Sequence, residues 1–313
     1  MSGPATPPHS TAHAQTNAPA TASPSMADWI RVVRPAQWSK NAFVLAPLLF
    51  SGFALNGPTL GAALLAFAAF CLAASAVYAF NDVIDRKEDR EHPLKRMRPV
   101  AAGRLSPATA SLIAAILAIL GLAVAGISGL GVMAWVAVYL ALNVVYSLVL
   151  KSIVLLDVFC IAAFFLIRLL TGAAAVQVKP SMWLLVCGGL LALYLGFAKR
   201  RHELTTLGDG ASAHRGVLRE YNAALLDQLS AVLLAVTIVA YLMFTLTSET
   251  AKRVGSDALS YGTAFVIFGV FRYLYLVHRR GQGTPTETIL GDRSLLVTVL
   301  CWGAYSAWLI YRT

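Results

Sequence analysis

Five oxygen-bearing side chains crowd one short stretch of this chain, the run Asn81-Asp82-Val83-Ile84-Asp85-Arg86-Lys87-Glu88-Asp89. Its aspartates recur at intervals of three and four, so on a helix Asp82, Asp85 and Asp89 share one face and Asn81 lies one turn from Asp85. Three carboxylates on one face repel, and something cationic must sit among them. Hard oxygen ligands with room left in the coordination sphere suit Mg²⁺ shared with the phosphates of a substrate. The spacing therefore marks Asp82, Asp85 and Asp89 as metal ligands.

The following run, His92-Pro93-Leu94-Lys95-Arg96-Met97-Arg98-Pro99-Val100-Ala101-Ala102-Gly103-Arg104, places four cations between two prolines and a glycine. Prolines restrict the backbone, which predicts a shaped loop. Guanidinium groups bind phosphate oxygens in pairs, so the loop fits a clamp beside the metal. Further on, Tyr146 and Lys151 close one apolar segment and Asp157 opens the next. Arg168 lies three helical turns beyond Asp157 on the same face, and an arginine that deep in apolar sequence needs a wet cavity or an anion. A second cationic cluster, Lys199-Arg200-Arg201-His202-Glu203, closes a later apolar segment.

These residues need a frame, and composition supplies it. Of the 313 residues 58% are hydrophobic and 13% charged, with a mean hydropathy of +0.68, which favours a bundle in a bilayer over a soluble domain. With roughly 20 apolar residues per crossing, nine spans fall near 41–57, 59–80, 107–127, 130–150, 154–176, 181–198, 225–247, 260–278 and 295–311. The fold expected is all-α: a single transmembrane catalytic domain over 26–313 behind a disordered tail over 1–25, which lacks the charged and apolar regions of a signal peptide. Residues 27–38 mix Trp29, Ile30, Val32 and Val33 with Arg31 and Arg34, the pattern of a short helix at the membrane interface.

Lys and Arg set the orientation. Nineteen fall on the side of the N-terminus and its alternate loops and four on the other, with Arg168 and Arg272 inside spans. The N-terminus and the aspartate run are therefore expected on the cytoplasmic side of the plasma membrane. The net charge of +10 is spread between spans and gives no nucleic-acid face. Cys71, Cys160, Cys187 and Cys301 all lie in apolar segments without metal-ligand spacing. Glycine-rich nucleotide loops, nucleophile elbows, HExxH and a transporter's inverted repeats are absent.

The run at 81–89 matches the NDxxDxxxD motif of the UbiA superfamily of intramembrane prenyltransferases, directly after the second span, and from about residue 28 onward the chain resembles that superfamily. The resemblance is strongest to its phosphoribosyl-transferring branch, through Arg34-Pro35-Ala36-Gln37-Trp38-Ser39-Lys40-Asn41, the 92–99 run, Tyr146-Ser147-Leu148 with Lys151, Leu155-Leu156-Asp157, Arg168 and Lys199-Arg200-Arg201-His202-Glu203. It implies a nine-helix bundle, Mg²⁺ as cofactor, and transfer of 5-phosphoribose from phosphoribosyl diphosphate to a polyprenyl phosphate. It implies Asn81, Asp82 and Asp85 as catalytic residues. Lys40, Lys95, Arg98, Tyr146, Lys151, Asp157, Arg168, Lys199, Arg200 and Glu203 are then the residues that bind substrate. Prenyl-diphosphate users in the superfamily carry a second aspartate-rich motif after the sixth span, whereas this chain has Lys199, Arg200, Arg201 and Glu203 and then a lone Asp209. Cations there suit a monophosphate. Two rivals stand: prenyl transfer from a prenyl diphosphate to an aromatic acceptor, and a polyprenyl-lipid transporter, which leaves the aspartates without a task. The sequence leaves open whether the protein is a homo-oligomer.

Overall fold

The computed structural model of the protein describes residues 24–207, 218, 220–255, 257–280, 288 and 291–312. Apart from Pro24 and Ser25, the tail expected over 1–25 lies outside the described residues, as do Asp209 and most of the segment joining the sixth and seventh spans.

Short helix α1, Met26–Val33, begins at a reciprocal cap: the Ser25 hydroxyl accepts from the Asp28 N–H while the Asp28 carboxylate accepts from the Ser25 N–H. It leaves Met26 and Ile30 exposed and buries Val32 against Ala79, Val100 and Leu105. It ends at Arg34 in the left-handed conformation, φ 53°. The residue before a proline is disfavoured in the helical region, so Arg34-Pro35 forces a change of direction here.

Eight helices among the described residues are long and apolar enough to cross a membrane. They are α3 Gly57–Ile84, α5 Pro107–Ser128, α6 Leu130–Leu148, α7 Leu156–Ala175, α8 Met182–Leu207, α9 Ala223–Thr247, α11 Thr263–Arg280 with the 3-10 turn before it, and α12 Arg293–Tyr311. Short α2 Ala46–Ser51, α4 Arg86–Glu91 and α10 Glu249–Val254 lie between them.

The ninth span, expected over 41–57, is not one continuous α-helix. The chain runs as a 3-10 helix over Pro35–Leu45 and becomes α-helical only in α2, which Gly52 ends with a positive φ. Rises of about 2.0 Å per 3-10 residue and 1.5 Å per α residue give this pair a length of about 30 Å, comparable to the hydrocarbon core. Packing explains the irregularity. A Cβ on Gly172 of α7 would lie 1.9 Å from the Val44 carbonyl oxygen, so the two backbones touch where α7 carries no side chain.

Helices α3 and α7 are the most enclosed. Alanines 66, 69, 73 and 74 line the buried side of α3, and at the α5 crossing a Cβ on Gly121 would meet the Ala73 nitrogen at 3.1 Å. Small residues let backbones close up and leave the volume for Phe70, Tyr139 and Phe164 in the central cluster. Crossings alternate in direction. The C-terminal ends of α3, α6 and α8 therefore meet the N-terminal ends of α5, α7 and α9 at one end of the bundle, where the expected site residues lie.

Candidate active site

The aspartates sit where α3 gives out. Asp82 is in its last turn with a side chain 1% exposed, Asp85 is the residue on which the helix ends, and Asp89 is buried in α4 after a one-residue break. One uninterrupted face was expected; the break at Asp85 replaces it. Each acid meets a cation of the chain. Arg34 donates to Asp82 Oδ1, and Arg98 Nη1 lies 3.4 Å from the same oxygen and 2.6 Å from Asp89 Oδ2. Lys151 Nζ is 2.5 Å from Asp85 Oδ1. Asp82 Oδ2 is buried without a hydrogen-bond partner. Asn81 accepts from the Ser147 hydroxyl at 2.6 Å, tying the end of α3 to the end of α6.

Local structure delivers these cations. Arg34 caps α1 and lays its guanidinium 5.1 Å from the Tyr78 ring centroid. Burial pulls it below the ordinary arginine value, with Asp82 pulling the other way. The 92–104 loop is shaped, as its prolines predict: His92 Nδ1 accepts from the Leu94 and Lys95 N–H groups, and Arg90 donates to the Ala101 carbonyl. Arg104 donates to Asp28 at 2.9 Å and to the Met97 carbonyl at 2.8 Å, locking the loop onto α1. The Arg104 hydrogen bond is the main reason the Asp28 carboxyl lies below the usual carboxylate range.

Asp157, fully buried in the first turn of α7, accepts from Arg200 Nε at 2.8 Å and from the Tyr221 hydroxyl at 3.1 Å. Arg200 also donates to Glu203 at 2.7 Å, and its Nη2 is buried without a partner. The Tyr221 oxygen in turn accepts from the Leu155 N–H at 2.8 Å. That bond supports Leu155 at φ 66°, a strained conformation for a leucine immediately before α7. Burial pushes the Tyr221 phenol up to about 12. Lys199 is exposed and 4.0 Å from Glu203, Lys40 and Lys95 are exposed, and Tyr146 packs edge-on against Phe164.

Arg168 does not join Asp157. Its Nε donates to Asn41 Oδ1 at 3.0 Å and its Nη1 to the Phe164 carbonyl at 2.8 Å. The rings of Phe70, Tyr139 and Phe165 surround it at 4.9, 5.2 and 5.5 Å. Its deep charge is thus met by dipoles and ring faces, and the contact with Asn41 ties the 3-10 helix to α7. Arg272 forms a two-nitrogen contact with Asp292, the cap of α12.

Sequence reasoning left Arg34, Ser147, Tyr221 and Asn41 off the site. Arg34 had a usable signal, a cation before a proline at a helix end; Tyr221 had none. Among the described residues no three His, Cys, Asp or Glu side chains converge as a ready metal site, and Arg98 Nη1 lies between Asp82 and Asp89. The donors still fit a hard divalent ion: all are oxygens, and one buried carboxylate oxygen has no partner.

A family model described as the UbiA prenyltransferase family matches residues 44–290. The chain is 31% identical to the decaprenyl-phosphate phosphoribosyltransferase of Mycolicibacterium smegmatis over 87% of this chain and 89% of that protein. It is 30% identical to the protein of the same name from Corynebacterium glutamicum, over 87% of this chain and 83% of the relative. Its fold is similar to that of a UbiA homolog from Archaeoglobus fulgidus solved bound to GPP and Mg²⁺, with a TM-score of 0.67 at 18% identity, covering 91% of this chain and 100% of that one. Eight apolar helices together with these matches make this an integral membrane protein, and the chain belongs to the UbiA prenyltransferase family.

Proposed function

We propose that the protein transfers 5-phosphoribose from phosphoribosyl diphosphate to a polyprenyl phosphate and releases diphosphate. One observation carries this reading beyond the family. The end of α8, where prenyl-diphosphate users of the superfamily hold a second aspartate cluster, here presents Arg200 held by Asp157 and Glu203 with Lys199 exposed beside them. Relatives named decaprenyl-phosphate phosphoribosyltransferase support it along nearly the whole chain.

In the mechanism, Asp82, Asp85 and Asp89, with Asn81 beside them, would hold Mg²⁺, which when bound stabilises negative charge on the leaving diphosphate. Arg98, Lys95 and Lys151 grip the diphosphate oxygens, charge-assisted donors aimed where charge develops. Lys40 and Lys199 would meet the 5-phosphate and the lipid phosphate, while Tyr146, Arg168, Arg200 and Glu203 would shape the surroundings of the ribose. The C1–O bond to diphosphate breaks with its electron pair on the leaving oxygen, and a lipid phosphate oxygen forms the new C1–O bond. The nucleophile is already an anion near neutral pH, so no general base is required. Residues 26–313 form one catalytic domain, with the charged end of the bundle facing the cytoplasm of a plasma-membrane enzyme and the lipid entering between helices.

Purified protein incubated with radiolabelled phosphoribosyl diphosphate, Mg²⁺ and polyprenyl phosphate should yield label in the extracted lipid. Absence of that label, with prenyl diphosphate and an aromatic acid consumed in its place, would refute the proposal in favour of prenyl transfer.

A further inference from the structure

Three acids close α3 and α4, and three cations of the chain meet them. The acids are fixed: Asp82 lies in the last turn of α3, Asp85 ends it, and Asp89 is in α4. The cations sit on joints. Arg34 occupies the left-handed link between α1 and the 3-10 helix, Arg98 follows a three-residue 3-10 turn, and Lys151 lies in another. Segments of this kind rearrange more readily than packed helices. The three cations keep 22%, 26% and 25% of their side chains exposed, so each has an outlet that Asp82, at 1%, lacks.

The contacts themselves are informative. One nitrogen of Arg98 touches Asp82 at 3.4 Å and Asp89 at 2.6 Å, so it stands between two carboxylates where a shared metal ion would stand. Asp82 already carries Arg34 and Arg98 on one oxygen, while its other oxygen is buried and unpartnered. A buried carboxylate without a cation is costly, so the metal-free site needs these arginines. A metal ion shared by Asp82 and Asp89 would need the position that Arg98 Nη1 fills between them, and it would compete with Arg34 for the charge of Asp82.

We propose that Arg34 and Arg98 are exchangeable counter-ions: they neutralise Asp82 and Asp89 in the metal-free protein and move to the phosphate oxygens when metal and diphosphate arrive. The inference rests on the metal and diphosphate reading given above. The exchange keeps every charge paired on both sides of the binding step. A metal arriving alone displaces arginines that then have no anion to meet, and a diphosphate arriving alone faces carboxylates stripped of their cations. Each ligand therefore raises the affinity for the other, and by linkage the two effects are equal.

Two titrations on full-length protein in lipid nanodiscs test this. The first follows Mn²⁺ alone by electron paramagnetic resonance, and the second follows inorganic diphosphate at saturating Mg²⁺ by calorimetry. Arg34→Gln and Arg98→Gln should each bind Mn²⁺ more tightly, by about tenfold, and diphosphate more weakly by a similar factor, within the usual range of site coupling. Arg34→Lys and Arg98→Lys keep the charge without the planar fork, should fall between wild type and the glutamine variants, and serve where a glutamine variant does not fold. A purely structural role predicts both ligands weakened. That result, or tighter Mn²⁺ with unchanged diphosphate, overturns the exchange while Asp82→Asn still abolishes Mn²⁺ binding. No Mn²⁺ binding by wild type, or equal binding by Asp82→Asn, removes the metal reading and the exchange with it.

Discussion

Gly172→Ala is the substitution through which the fold should speak most directly to the site. Gly172 lies on α7, and an added Cβ would stand 1.9 Å from the Val44 carbonyl oxygen, 2.8 Å from the Val44 carbonyl carbon and 3.2 Å from Pro47. Real Cβ atoms essentially never come within 3.0 Å of such atoms. Relief from 1.9 to 3.0 Å requires the backbones to part by about 1.1 Å, and because the nearest atoms are main chain, no side-chain rotation absorbs it. Overpacking of this kind costs about 1–3 kcal/mol. The displaced segment is the 3-10 helix, which carries Asn41 on Arg168, Lys40, and at its start Arg34 on Asp82. A misplacement of about 1 Å in a positioning element can cost about 10²-fold in rate.

The expected outcome is a lipid-labelling rate lower by roughly 10- to 100-fold with a modest fall in Tm. Gly61→Ala is the control: it lies in α3 with nothing within 4 Å of its added Cβ, and should leave Tm unchanged or slightly raised because alanine is the better helix former. A Gly172→Ala protein with wild-type Tm and wild-type rate would refute the claim that this contact sets the position of the first spanning segment. Loss of Tm with full activity would show instead that the contact serves stability alone.

Asn41→Leu removes the acceptor of Arg168 Nε and should cost about 1–3 kcal/mol, the penalty for a buried donor left unmade, read as a fall in Tm. Arg200→Leu leaves Asp157 buried without its cation and should cost about 3–5 kcal/mol, whereas exposed Lys199→Ala should leave Tm unchanged and raise KM for phosphoribosyl diphosphate; equal Tm effects would place both lysine and arginine in the same role. Asp28 is held below its unfolded carboxyl value chiefly by Arg104. Its contribution is therefore present above the unfolded pKa of about 4 and lost as pH falls through the folded value. The Tm gap between wild type and Asp28→Asn should be open at pH 7 and narrow as the medium is acidified below about pH 4; a gap constant across that range would exclude the linkage.

Local pattern made much of this architecture legible. Acid spacing singled out Asp82, Asp85 and Asp89, although the break at Asp85 divides them between two helices, and runs of apolar residues located the eight crossing helices among the described residues, because both signals lie within a few turns. The prolines and glycine of 92–104 predicted a shaped loop for the same reason. Partners distant in sequence were not legible. Arg34 meets Asp82 across 48 residues and Ser147 meets Asn81 across 66; the proline after Arg34 marks a helix end but does not name the acid that Arg34 meets. The 3-10 form of the first span was not legible because it depends on a glycine 128 positions after Val44. Arg168 needs a wet cavity, an anion or a buried polar partner by sequence alone; three rings, an amide and a carbonyl lined up by four separate elements meet that need.

The charged end of the bundle divides its cations by what holds them. Arg200 is fully buried between Asp157 and Glu203, two carboxylates against one guanidinium, so it adds no surplus positive charge for a phosphate and acts first as the brace that fixes both acids. Arg34, Arg98 and Lys151 are each matched to one side of the aspartate cluster and become available to phosphate only if those acids take another partner. Lys40, Lys95 and Lys199 are exposed, and under the proposed function they are the cations a phosphorylated substrate would meet first. The end of α8 is therefore close to neutral where the aspartate cluster is rich in acid, and a donor with a diphosphate at one end and a hydroxylated sugar at the other matches that division better than a prenyl diphosphate does. Buried carboxylates accept hydrogen bonds from hydroxyl groups and have nothing to offer a hydrocarbon tail.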